Sequence, residues 1–100
     1  MTAYHPPPAT DEVFYVPHWL WDEFGPQIGP YGLSIMIVLH RLADHEGKCC
    51  PSHAEIAKLC AISRRQVIRT IPKLEQLGLV AVTRNGQASN IYALIALKEG

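Results

Sequence analysis

Residues 51–67 read P-S-H-A-E-I-A-K-L-C-A-I-S-R-R-Q-V and contain one start signal twice. Ser52 is followed three positions later by Glu55, and Ser63 by Gln66. Each pair is a capping box. The serine hydroxyl accepts from the third helical N–H, and the Glu or Gln side chain reaches back to the serine N–H. One helix is expected from about Ser52 to Cys60 and another from Ser63. Only Ala61 and Ile62 lie between, so two capped helices joined by so short a turn must cross sharply.

Downstream, residues 63–77 place Val67, Thr70, Ile71, Leu74 and Leu77 on one face of a helix. The opposite face carries Arg65, Arg69 and Pro72, with Gln66 and Lys73 on one flank and Ile68 on the other. Pro72 removes the bond to the Ile68 carbonyl and crowds it, so a kink is expected there, with a bent second half returning to the body. Gly78 is a helix stop. Leu79 to Arg84 reads as a strand, and Ile91 to Leu97 as a second, with Ile91, Ala93, Ile95 and Leu97 supplying its alternation. Asn85-Gly86 reverses the chain, and the polar loop Arg84 to Asn90 should project.

Upstream, Met1 to Thr10 contains Pro6-Pro7-Pro8 and little to pack, so a disordered tail is expected ahead of one domain over 11–100. Residues 11–24 should begin extended and turn at Pro17 into a short helix ending near Gly25. A loop over 25–30 then leads to Pro30 at the first position of a new helix. That helix should run to about His45 and be the central one, because its apolar residues cover more than one face. Cys49-Cys50 fits a short strand pairing beside the second hairpin strand.

Helix, capped helix, turn, capped helix and β-hairpin is the order of a winged helix-turn-helix, a mainly α fold with a small β-hairpin (α+β). Pro51 to Val67 resembles the helix-turn-helix of winged-helix bacterial and phage DNA-binding proteins, among them transcriptional regulators and N-terminal domains of phage and plasmid replication initiators. Leu74-Glu75-Gln76-Leu77-Gly78-Leu79 is similar to the L-E-x-x-G-L that ends their long helix. Ser89-Asn90-Ile91-Tyr92 is similar to the S-N-x-Y that ends their wing, and Val16-Pro17-His18-Trp19-Leu20 to their opening V-P-x-x-L. The resemblance spans most of residues 14–94. It implies sequence-specific binding of double-stranded DNA, with the helix starting at Ser63 in the major groove. Two positions depart from the pattern: Ala61, where many such turns carry Gly, and Pro72.

On that reading Arg65, Gln66 and Arg69 reach base edges, since Arg bridges guanine O6 and N7 and Gln pairs with adenine. Arg64 and Lys73 meet phosphate, as do the N–H groups around Ser52 and His53, while Ser63 caps the reading helix. Arg84, Asn85, Gln87 and Asn90 reach an adjacent groove or the backbone from the wing.

Charge distribution supports a polyanion partner although the formal net charge is zero. Residues 1–47 carry one base against six acids, a charge of −5, and residues 48–100 carry eight bases against three acids, a charge of +5. Between Ser63 and Asn90 five basic residues face Glu75 alone. No apolar run approaches the roughly 18 residues of a membrane span, and no secretory signal is visible. Three cysteines do not form a disulfide framework, which points to the cytoplasm.

His45, Cys49, Cys50, His53 and Cys60 lack the spacing of structural zinc sites, so no metal or cofactor is expected. No phosphate loop or nucleophile–base pair suggests an enzyme, and His40 reads as an interior or boundary histidine. The alternative is a winged helix that assembles with proteins and binds no DNA, working through its aromatic N-terminal segment. Trp19, Trp21 and Phe24 are candidates for a homodimer contact or a dock for further domains.

Overall fold

The computed structural model describes residues 13–86 and 89–95. The proline-rich tail, Gln87 and Leu97 therefore lie outside the described residues. In chain order the elements are α1 (His18–Leu42), β1 (Lys48–Cys49), α2 (His53–Cys60), α3 (Arg64–Gln76), β2 (Val80–Thr83) and β3 (Ile91–Leu94). The strands form one antiparallel sheet in the order β1-β3-β2. This is the winged helix-turn-helix architecture read from the sequence, with the β2–β3 hairpin as the wing. The short extra strand falls one residue earlier than expected, at Lys48–Cys49, and Cys49 pairs opposite Tyr92.

The first helical region differs from expectation. Instead of a short helix, a loop over 25–30 and a new helix, the chain stays helical on both sides of a single break at Gly29. Proline disfavours the helical region for the residue before it by clashing with that residue's N–H and Cβ. Gly25 has no Cβ, which eases the clash, and the helix passes through Gly25-Pro26. Gly29, before Pro30, adopts φ 69°, ψ −175°, a conformation open essentially to glycine alone. Pro30 then opens the second half, as expected. That half ends at Leu42 rather than near His45, because Asp44 offers the backbone an alternative partner. Its Oδ1 accepts from Glu46 N at 2.8 Å and Lys48 N at 3.0 Å, closing the turn into β1. These bonds hold the Asp44 carboxyl below its ordinary range.

A single core joins all the elements. Leu20, Ile28, Ile35, Met36 and Leu39 of α1 meet Ile56 of α2, Val67, Ile71 and Leu74 of α3, and Leu79, Val80 and Tyr92 of the wing. In β3 the alternation runs in the opposite phase to that expected. Tyr92 is fully buried, whereas Ile91 and Ile95 are exposed. Tyr92 carries the large apolar surface that the core needs at the base of the wing, and register places its neighbours outside.

The α3 C-terminus explains Leu74-Glu75-Gln76-Leu77-Gly78-Leu79. Gly78 N donates to Glu75 O and Leu79 N to Leu74 O, both at 3.0 Å, with Gly78 at φ 78°. This is the Schellman arrangement, and its accompanying apolar contact is between two fully buried leucines, Leu74 and Leu79. Pro72 does not divide α3 into two elements: Arg64–Gln76 is one helix with the proline inside it, on the exposed side. The Ile68 carbonyl loses its helical donor on that exposed side, where water can take its place.

Candidate nucleic-acid interface

The turn between α2 and α3 is built as the sequence indicates. Ser52 N donates to Glu55 Oε1 at 2.8 Å and Glu55 N to Ser52 Oγ at 3.0 Å, completing the first capping box. Ala61 follows α2 in the left-handed region, φ 58°, ψ 42°, and Ile62 N donates back to Ala57 O at 3.0 Å. The chain thus makes the sharp turn with an alanine where glycine is the easier residue.

The second box is half formed. Gln66 N donates to Ser63 Oγ at 3.0 Å, but the Gln66 amide does not return to Ser63. Its Nε2 donates instead to Thr70 Oγ1 at 3.3 Å, while the Thr70 hydroxyl donates to Gln66 O at 2.7 Å. Thr70 is the buried polar residue among the core side chains, and this local pairing satisfies it.

Arg65, Ile68, Arg69, Pro72 and Lys73 are all exposed on the outward side of α3, with Val67, Thr70, Ile71 and Leu74 buried beneath. Arg64, at the edge, lines a polar cleft of about 350 Å³ with Ser52, His53, Gly86, Ser89 and Asn90. The start of α2, the start of α3 and the wing, far apart in sequence, thus meet at one place. Burial lowers the His53 pKa from its ordinary value, and the charges of Arg64 and then Arg84 lower it further.

Among the described residues the one salt bridge joins Arg84 to Glu75. It is bidentate, Nη1 donating to Oε2 at 3.2 Å and Nη2 to Oε1 at 3.1 Å. Arg64, Arg65, Arg69 and Lys73 have no carboxylate of a described residue within that reach. Asn85 is exposed at the wing turn, and Asn90 Nδ2 donates to the Tyr92 hydroxyl at 3.5 Å. Sequence reasoning missed the roles of Thr70, Glu75 and Tyr92. The i, i+4 spacing of Gln66 and Thr70 could have shown the first, but Glu75 meets Arg84, and Tyr92 becomes buried, only when the wing folds against the helices.

The remaining candidates fall elsewhere. No group of three His, Cys, Asp or Glu among the described residues could hold a metal ion. Burial pushes the Cys49 thiol up to about 11, and its Sγ approaches Leu39 O at 3.8 Å. Trp19 and Phe24 pack against the core and meet edge to face, ring centroids 6.0 Å apart. Trp21 is 60% exposed. No helix among the described residues is long and apolar enough to cross a membrane.

A sharply crossed helix pair, an outward cationic face on the second helix and a wing beside it define a helix-turn-helix protein. Residues 27–80 match the family described as helix-turn-helix domain, and the chain belongs to that family. The match runs from the first half of α1 to the first residue of β2, and makes DNA the partner class of the fold. No curated protein matches the chain.

Proposed function

We propose that this domain binds double-stranded DNA with α3 in the major groove, in a sequence-specific manner. The observation that carries the reading is the outward face of α3: Arg65, Arg69 and Lys73, with Arg64 at its edge, are exposed and unpaired by any described carboxylate. A face that needed only solubility would mix both signs. Arg65 and Arg69 are placed to reach guanine edges, and exposed Ile68 between them suits a thymine methyl. Arg64, His53 and the first N–H groups of α2 take a backbone phosphate at the cleft, with the wing alongside. Gln66 reads bases only after releasing Thr70. The biological role is that of a transcriptional regulator or the origin-binding domain of a replication initiator. A small single module gains tight specific binding from a second copy or from further domains in a longer chain.

Fluorescence anisotropy of a labelled duplex across a salt series tests this. Binding should weaken steeply between about 50 and 200 mM salt, as counterions released from several phosphates require. Arg65→Ala and Arg69→Ala should each cost about 1–3 kcal/mol on a selected site. Unchanged duplex binding in both variants would exclude groove reading by α3.

The second reading, a protein-assembly module, draws on a different face. Trp21, Gly25, Pro26, Leu33 and Ile37 line an apolar groove of about 840 Å³ at the α1 break. With Trp19 and Phe24 packed internally, Trp21 is the residue of the aromatic segment best placed for such a contact. Salt-insensitive association without duplex binding would favour this reading.

A further inference from the structure

Among the described residues Arg84 differs from the other basic residues between Ser63 and Asn90 in being held by a carboxylate. Glu75 lies in the last turn of α3, and Arg84 directly follows β2 at the root of the wing loop. Their two parallel N–H···O bonds, 3.1 and 3.2 Å, use the same guanidinium fork that grips a phosphate. The pair is not needed to hold the wing in place. Leu79, Val80 and Tyr92 are already buried, β2 pairs with β3 along its whole length, and Ile95 N donates to Leu79 O at 3.2 Å. The Arg84 charge is also felt at His53, which lines the cleft between α2 and the wing.

We propose that Glu75 withholds Arg84 from DNA: its carboxylate stands in for a backbone phosphate in the free protein and must be displaced before the wing can engage. The inference rests on the DNA-binding reading above. An ion pair this exposed is weak, so exchange for a phosphate is accessible. Glu75 is thereby a positioning residue that sets affinity and salt dependence by acting through Arg84. In the free protein Arg84 at the wing root is thus already paired, and first contact falls to α3.

The test uses anisotropy on the full chain with one labelled duplex over a salt series, for wild type, Glu75→Gln, Arg84→Ala and the double variant. Circular dichroism confirms that each variant is folded. Glu75→Gln should bind about 2- to 5-fold tighter, the size of an exposed pair. Its log K against log salt should steepen by less than about one, because salt no longer also weakens a competing ion pair in the free protein. Both changes should vanish in the Arg84→Ala background.

Unchanged or weaker binding by Glu75→Gln overturns the proposal. An equal gain with Arg84 absent also overturns it, since that is general repulsion of DNA by a carboxylate. If wild type binds duplex with the expected salt slope and these outcomes follow, only the role of Glu75 falls. If no variant binds duplex at any salt, the DNA reading falls with it.

Discussion

Gly29 and Ala61 both adopt backbone conformations that favour glycine, and of the two only position 29 carries one. Gly29 sits at φ 69°, ψ −175°, with nothing within 4 Å of where a Cβ would stand. Gly29→Ala should therefore destabilise through backbone strain alone, by about 1–3 kcal/mol in urea unfolding. Ala61 sits at φ 58° with a Cβ it would be better without. Removing that Cβ relieves roughly 1–2 kcal/mol of left-handed strain. Glycine returns about 0.4–1 kcal/mol of this through the freer unfolded chain. Ala61→Gly should thus raise stability by up to about 1.5 kcal/mol, with a melting shift of roughly 4–8 °C for each kcal/mol in a domain of this size. A fall in melting temperature would show that Ala61 is not strained. The left-handed turn at Ala61 was foreseeable from its place between two capping boxes. The Gly29 break was foreseeable only in part, because a sequence shows two Gly-Pro steps and the structure breaks at one.

Each helix of the reading pair answers to local signals at its ends and to tertiary contacts along its length. The ends of α3 match expectation: Ser63 caps its start, and Leu77-Gly78 close it. Pro72 in its interior is the outstanding local conflict. It lies on the exposed side, eight residues after Arg64, where no described core contact requires it. Pro72→Ala restores a donor to the Ile68 carbonyl and removes the ring clash. It should stabilise the domain by up to about 3 kcal/mol, read by chemical denaturation. Duplex affinity measured beside it separates two roles for the proline. Unchanged affinity makes Pro72 a stability cost only, and a loss shows that it shapes the inserted half of α3. The Gln66–Thr70 contact shows the limit of local reading, since the capping-box pattern was present but a buried hydroxyl one turn away held the side chain instead.

Charge and burial act across the whole domain, and pH reports on them. Burial lowers the pKa of His40, and burial with the nearby Arg64 and Arg84 lowers that of His53. The unfolded chain takes up both protons near the ordinary value of 6.5, while the folded chain does so only at lower pH. Between those values the unfolded state binds more protons, so the stability present above about pH 6.5 is lost as pH falls through the folded values. Melting temperature should decline on acidification from pH 7 toward 5, and His40→Gln should flatten part of that slope. A slope identical to wild type in the variant would show that His40 contributes nothing to it. Asp44, with its carboxyl held low by two backbone N–H groups, adds a further loss at more acid pH.

The sequence by itself determined the order of elements, both caps, the stop at Gly78 and the cationic side of α3. These depend on side chains acting on backbone within a turn or two, and that range is written in the chain. Tertiary structure decided the phase of β3, where burial of Tyr92 overrode the alternation begun by Ile91. It also decided that Trp19 and Phe24 turn inward while Trp21 does not, and that Glu75 meets Arg84 across the α3–wing junction. Such choices follow from which surfaces the folded core can cover and which charges it brings within hydrogen-bond reach. Neither is a property of any local stretch of chain.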